Sequence, residues 1–399
     1  MESKMKDSGI PWIGVIPEHW NILRNKNVLI ELKEVVGEDT SFPLLSLSLT
    51  GVKLRDLGAG GKFPAEFNTY KKVNPENLVF CLFDMDETPR TIGLSKFRGM
   101  ITGAYNVYRV CPEVVTPDWV YYFYLSIDQQ KALKPYYSGL RKVVKPETFA
   151  KIHIPVPPIA EQERIAAYLD GKCGEIDELI DVEQQMISDL ESYRQAVITE
   201  AVTHGLNPSE NNTDSGVYWI GYVPSKWHIA KMKYFITITN GSDPKTEGDV
   251  PVYGSGASSF KTCGEFKEGP TVLIGRKGAT LHIPHYIEGR YWNVDTAFDT
   301  RVNNFNLRYF YYLASSLDYR AYISATTLPS MTQSNYENML IPVPPLAEQQ
   351  EIAEYLDTKC SEIDELIKVK QEKIETLKQY RQSLIFEAVT GKTPIIENL

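Results

Sequence analysis

From Ile176 onward the apolar residues fall at alternating steps of four and three: Ile176, Ile180, Ile187, Leu190, Val197 and Ala201. Glu183 and Arg194 occupy the two positions the series skips. The same series returns as Ile363, Ile367, Ile374, Leu377, Leu384 and Ala388, with Lys370 and Arg381 in the gaps. Side chains recurring about every 3.5 residues share one stripe of an α-helix, so each series predicts a long amphipathic helix with a heptad seam. Leu179 and Leu366, with Tyr193 and Tyr380, are expected to widen the stripe. Ahead of each helix stands Pro-Val-Pro-Pro, residues 155–158 and 342–345, whose fixed φ and missing N–H groups hold the chain extended. The Ala-Glu-Gln that follows opens the helix with an acid in its first turn, where the macrodipole favours it. A seam of this kind predicts that the two helices pack on each other. The competing arrangement has each helix covering its own domain.

Both helices belong to a longer repeat. Ile154–Ile180 returns as Ile341–Ile367 at a constant offset of 187 positions, and the match runs ungapped to Ala201–Thr203 against Ala388–Thr390. Ahead of each copy, DSGIPWIGVIPEHW (7–20) is answered by DSGVYWIGYVPSKW (214–227). A period this long is a duplicated domain pair rather than a solenoid unit. The intervening residues, roughly 21–150 and 228–340, show little similarity, so two like frames hold two unlike inserts. The organisation expected is an insert-bearing domain over 1–150, a helical arm over 151–207, a second domain over 208–340 and a second arm over 341–399. HGLNPSENNTDSG (204–216) is the linker between them.

The inserts read as mixed α/β. Strand-like runs are LVFCLFD (78–84), AYNVYRV (104–110), TVLIGRKG (271–278) and TLHIPHYI (280–287). The aromatic-rich 118–130 and 306–323 predict helices buried on one face. They stand at comparable places before each arm, which points to one fold shared by both inserts. Rows of aromatic residues like these are expected in the core.

Charge refines this picture. The 399 residues carry a net charge of −9, but residues 1–150 sum to +2 and 208–340 to 0, whereas 151–207 and 341–399 sum to −7 and −4. The acidity belongs to the arms, and the second arm is the lysine-richer one, with Lys368, Lys370, Lys373 and Lys378. Neither insert is basic enough to announce nucleic acid. A DNA-directed role therefore requires a partner to supply much of the phosphate neutralisation. A hydrophobic fraction of 43% with 23% charged residues is that of a soluble globular protein. No apolar run reaches membrane-spanning length and MESKMKDSG is not a signal pattern, so a cytoplasmic location is expected. Cys81, Cys111, Cys173, Cys263 and Cys360 form neither CxxC nor zinc-finger spacing, and are expected as reduced thiols, buried at the repeat-equivalent Cys173 and Cys360.

Motifs for chemistry are missing. The only Pro-Pro pairs follow valine, so there is no Asn/Asp-Pro-Pro-aromatic loop of a DNA amino-methyltransferase. Gly275-Arg-Lys-Gly278 lacks the spacing and hydroxyl of GxxxxGK[ST]. Asp249, Glu265 and Lys267 can be drawn as a nuclease triple, without a second copy or a supporting strand pattern. His282 and His285 lack further ligands at metal spacing. No catalytic residue, metal site or cofactor of its own is expected.

Two variable domains opening with DSG…WIG…P…W, and two repeats carrying IPxPPxxEQ and a long helix, resemble the specificity subunit of type I DNA restriction–modification enzymes over almost the whole chain. In the inserts the likeness is limited to YWNVDTAF (291–298) and the GRKG turn. The resemblance implies an α/β fold: two mixed α/β globular target recognition domains joined by two long helices, packed as an antiparallel coiled-coil-like spacer. It implies double-stranded DNA as ligand, each insert reading one half of a split, asymmetric target. Two methyltransferase (M) subunits would dock on the spacers and bring S-adenosylmethionine and base flipping. Restriction/motor (R) subunits, bringing ATP and Mg²⁺, would join through them, and this chain would be non-catalytic. A coiled-coil scaffold with protein-binding inserts and no DNA role is the competing reading; a self-contained restriction enzyme is opposed by the missing motifs. Base readout calls for Arg, Lys, Asn or Gln on exposed loops. The candidates are Lys53, Arg55, Arg90, Arg141 and Lys142 in the first insert, and Lys245, Arg276, Lys277, Asn293 and Gln333 in the second. Most are expected on phosphate rather than bases, and an ordinary solvated charge competes at each.

Overall fold

The structure, a computed structural model, describes residues 4–39, 41–55, 67–207, 211–256, 258–320, 322 and 329–395. It divides into two compact units, Met1–Val182 with Lys373–Leu399, and Glu183–Glu372.

In the first unit, strands Leu29–Leu32, Asn106–Val110, Leu78–Phe80 and Ile92–Leu94 lie in that order in an antiparallel sheet. Helix α1, Pro117–Gln130, starts where Thr116 Oγ1 accepts the N–H of Trp119 and Pro117 fills the first turn. It buries Trp119, Val120, Phe123 and Tyr124. The Phe80 ring stands edge-on to Tyr124 and Phe149, at 5.0 and 5.1 Å between centroids. The aromatic row is core, as its periodicity predicts. Helix α2, Ile159–His204, follows.

The second unit repeats the topology with different residues: Ile236–Asn240, Ala297–Val302, Thr271–Gly275 and His285–Ile287 form the same antiparallel order. Helix α3, Leu307–Ser316, is capped by the Asn306 side chain and buries Tyr309, Phe310 and Leu313. It is shorter than the run to 323 expected from the sequence. Leu317 turns extended, and the Asp318 carboxylate accepts the backbone N–H of Arg320 at 3.0 Å, a local turn that competes with another helical turn. A short helix α4, Gln333–Asn338, precedes helix α5, Leu346–Val389.

The ends of each insert are bound edge to edge. Asn21–Arg24 pairs antiparallel with His153–Val156, and His228–Lys231 with Leu340–Val343. The glutamine of each AEQ is a structural clamp. Gln162 is fully buried; its Oε1 accepts Thr116 N–H at 2.8 Å and its amide donates to the Pro157 and Val114 carbonyls at 2.8 and 2.9 Å. Gln349 repeats this with Asn306 N–H at 2.8 Å and the Pro344 carbonyl at 2.9 Å. Each ties the proline run to the cap of the preceding aromatic helix and satisfies backbone groups that proline leaves unpaired.

Along the middle of the two long helices the seam residues are sheltered. Ile176, Ile180, Ile363, Ile374 and Leu384 are buried, and Ile187, Leu190, Val197, Ile367 and Leu377 are half-buried. Leu179, Leu366, Tyr193 and Tyr380 do not widen this stripe: they are 48–58% exposed. At 3.6 residues per turn they face roughly a quarter-turn away from the seam. Val182, Met186 and Val369 are exposed with them. The two packing arrangements posed by the sequence coexist. In the second unit Ile352 and Leu356, from the start of α5, share a core with Ile198 and Val202, from the end of α2, and with Tyr309 and Phe310. An arm thus covers its own domain with its first half, while its second half packs on the domain of the other repeat.

The tryptophan ending each DSG…W segment receives the glycine that ends the other repeat's arm. A Cβ on Gly391 would come within 2.4 Å of Pro17 Cδ and 3.0 Å of Trp20, and φ there is +69°; Gly205, at φ +78°, sits against Trp227 in the same way. Gly391→Ala is expected to cost about 1–3 kcal/mol through backbone strain and to lower the melting temperature in calorimetry. An unchanged melt would show that the helix end is not seated there.

Candidate nucleic-acid interface

In the first unit the five candidate cations occupy three separate places. Lys53 is exposed on strand Gly51–Leu54, opposite Ser46 of Leu45–Ser48. Arg55, also exposed, is anchored by its backbone N–H on the Leu44 carbonyl at 2.8 Å. Arg90 is half-buried, its guanidinium 3.5 Å from the Tyr121 hydroxyl. Arg141 and Lys142 lie in the loop after α1 and neutralise an acidic turn. The Arg141 Nη2 is 2.7 Å from the Asp84 carboxylate, with the guanidinium 4.9 Å from the Phe83 ring centre, and Lys142 Nζ is 3.2 Å from Asp86 and 3.7 Å from Glu87. The hydrogen bond to Asp86 raises the Lys142 pKa above its ordinary value. These two cations already have partners, and phosphate would have to compete with carboxylates for them.

In the second unit three candidates converge. Arg276, Lys277 and Gln333 line a cavity of about 250 Å³ together with Asn240, Phe298 and Thr332. The GRKG turn holds its cations rigidly. Tyr336 hydroxyl donates to the Gly275 carbonyl at 2.7 Å, Met331 N–H to the Arg276 carbonyl at 2.8 Å and Gly278 N–H to the Pro329 carbonyl at 3.0 Å. Both glycines are required. A Cβ at 275 would lie 2.3 Å from Leu281 Cα, and Gly278 sits at φ +125° with Ser255 Oγ closing on it. The Arg276 guanidinium lies 5.7 Å from the Phe298 ring centre and donates to the Asp295 carbonyl at 3.2 Å; Lys277 Nζ is 3.7 Å from the Asp295 carboxylate. Gln333, in the first turn of α4, donates to Glu337 at 2.8 Å. Asn240 and Phe298 were missed by residue-type reasoning; the Asn-Gly pair 240–241 at a strand end was the available signal.

Lys245 is exposed away from this cavity, its backbone N–H on Glu265 at 2.7 Å. Asn293 corrects the expectation of a loop residue: it is fully buried, accepts from Lys267 Nζ at 2.8 Å and donates to the Ala297 carbonyl at 2.9 Å. Its amide oxygen accepts from the half-buried Lys267, which also reaches Asp299 at 3.1 Å. Two members of the drawn nuclease triple have other partners. Lys267 is engaged inward, and Glu265 caps Lys245 and Thr246. For Glu265, partial desolvation is outweighed by those hydrogen bonds, which bring its pKa down to about 2. No group of three or more His, Cys, Asp or Glu suited to a metal occurs among the described residues. Burial pushes the Cys173 thiol up to about 11 and raises Cys360 as well, which keeps both in the thiol form. No helix among the described residues is long and apolar enough to cross a membrane.

Two copies of one α/β scaffold, each with a long helical arm, define a duplicated domain pair. Residues 93–192 and 224–376 match the type I restriction modification DNA specificity domain, and the chain belongs to that family of type I specificity subunits. The type I restriction enzyme MjaVIII specificity subunit of Methanocaldococcus jannaschii is 24% identical over 94% of this chain and 93% of its own length. The putative MjaX specificity subunit of the same organism is 24% identical over 60% of this chain and spans 59% of that relative. Among solved structures, a chain from work on complex assembly and conformational transition of the type I R-M system superposes with a TM-score of 0.72, at 18% identity, over 95% of this chain and 99% of that one. At that identity the likeness speaks for the fold.

Proposed function

We propose that this chain reads a bipartite, asymmetric double-stranded DNA target, one half per insert, and scaffolds two M subunits and the R subunits while catalysing nothing itself. The observation that carries this reading is the pair of four-stranded sheets. Their strand order is the same in the two units, yet the polar side chains around them differ, from the exposed Lys53 and Arg141 in one to the half-buried Arg276, Lys277 and Gln333 cluster in the other. One scaffold with two unlike surfaces suits two unlike half-sites. The domain division adopted is that of the sequence: recognition domains over 1–150 and 208–340, spacers over 151–207 and 341–399. Cytoplasmic action on DNA follows from this role.

The exposed apolar residues of the arms support the scaffolding half of the proposal. Leu179, Val182 and Tyr380 in the first unit, and Met186, Tyr193, Leu366 and Val369 in the second, offer M subunits an apolar surface on acidic helices. Because the inserts are nearly neutral and several of their cations are paired, the chain alone is expected to bind duplex DNA weakly with a shallow salt dependence. Adding M subunits is expected to raise affinity and steepen the salt slope by roughly −0.9 per new phosphate contact. Within the assembled complex, Arg276→Ala separates two roles. Relaxed discrimination at one base pair, worth roughly 1–3 kcal/mol, marks base reading; uniform weakening across sequences marks phosphate contact, the role proposed for Lys277. Tight, specific binding by the isolated chain, unchanged by M subunits, would overturn the charge argument. A complex that binds DNA without sequence preference would favour the scaffold without a DNA role.

A further inference from the structure

The helical seam contains three polar layers, and they differ in what they can distinguish. Arg381 of α5 bonds Asp177 of α2 in the first unit, and Arg194 of α2 reaches Asp364 of α5 at 3.4 Å in the second. The offset of 187 positions makes Asp177 the equivalent of Asp364, and Arg194 the equivalent of Arg381. Each arm therefore contributes one Asp and one Arg. These layers hold register and direction, and any arm could satisfy them with any other, including a copy of itself.

The third layer is different. Lys370 Nζ lies 3.0 Å from Glu183 Oε2, and the two residues are exactly one repeat apart: each faces its own counterpart. Glu183 is 7% exposed and Lys370 24%, so this is a sheltered ion pair inside the seam. An arm paired with its own kind would place Glu against Glu or Lys against Lys here. Like charges held together in a sheltered site repel, and a buried charge without its partner is strongly unfavourable. The apolar seam positions named above offer no such charge distinction. They are identical between arms at Ile176/Ile363, Ile180/Ile367, Ile187/Ile374 and Leu190/Leu377, and apolar in both at Val197/Leu384.

We propose that the Glu183–Lys370 layer determines which arm accepts which: a glutamate-type arm takes a lysine-type arm and rejects another of its own type. The partner class rejected is a second copy of the same arm, and the one accepted is an arm of opposite charge at this single layer. A lone polar position specifying partner choice at a cost in stability is the behaviour of such residues in coiled coils.

The test removes the covalent tether, which would otherwise favour the intrachain pair regardless of charge. A protease site inserted after Pro208 allows the purified full chain to be nicked within the linker, and native mass spectrometry then counts heterotypic and homotypic pairs after equilibration. Nicked wild type and the charge-reversed Glu183→Lys/Lys370→Glu are expected to give heterotypic pairs alone. Nicked Glu183→Leu/Lys370→Leu is expected to melt no lower than wild type, since an apolar layer replaces a sheltered ion pair, yet to raise homotypic pairs by on the order of tenfold or more. A purely structural role for the layer would move the melting temperature and leave that ratio alone. If the leucine form still pairs only heterotypically, or the reversed form scrambles, partner choice resides elsewhere and the proposal fails.

Discussion

Exchanging residues 228–340 for the insert of a related subunit is expected to change one half of the recognised DNA and leave the other intact. The frame favours this outcome. Strands His228–Lys231 and Leu340–Val343 bind the two ends of the insert to each other, and the cap on α3 is fixed by Gln349 from the arm. An insert that keeps those contacts meets the same arm. The effect is large because each mismatched base pair costs about 1–3 kcal/mol, roughly additively, so a wholly altered half-site abolishes recognition of the old target. Mapping methylated sites in cells that express the chimera with its M and R subunits measures it. A chimera that alters both halves, or neither, rules out independent readers.

Leu190→Asp combined with Leu377→Asp is expected to lower stability by several kcal/mol, since each introduces a carboxylate into an apolar contact. Leu190 stands half-buried in the second unit and Leu377 in the first, so both units are affected. Tyr193→Asp with Tyr380→Asp is the control. Those side chains are 58% and 57% exposed, and surface changes of this kind fall within about 0.5 kcal/mol. Thermal melts that rank the two pairs the other way round would show the seam to lie on the opposite face.

That pairing of experiments also marks how far the sequence could be read. The arms were legible because their apolar positions recur at a helical period over many turns, and local geometry converts period into burial. Tyr193 and Leu179 were misassigned because hydrophobicity is not burial: an apolar residue a quarter-turn from the seam looks the same in sequence whether it meets a core or a partner. The shared sheet of the inserts was only partly legible. It depends on pairings such as Leu29–Leu32 with Asn106–Val110, whose partners lie far apart in the chain and share no motif across units. Asn293 misled for a chemical reason, since a polar amide suggests a surface until a half-buried Lys267 is found to bond to it. Gln162 and Gln349 stand in the repeated AEQ motif, but their clamping role appears only once the proline carbonyls and helix caps are in place. In the candidate interface, spacing gave Arg276 and Lys277 together; that Gln333 joins them required the backbone bonds between the GRKG turn and residues 329–331.

The edge-to-edge closure of each insert has an evolutionary consequence. The same two-strand clasp closes over residues 25–152 in one unit and 232–339 in the other, segments of unequal length and unrelated sequence. The clasp and the arm are the parts that any segment placed between them must still fit. A replacement segment must bring its own core, as Trp119 and Phe123 do in one unit and Tyr309 and Phe310 in the other. On the proposed reading, a lineage with this architecture would acquire a new half-target in a single exchange of the segment between the clasp strands.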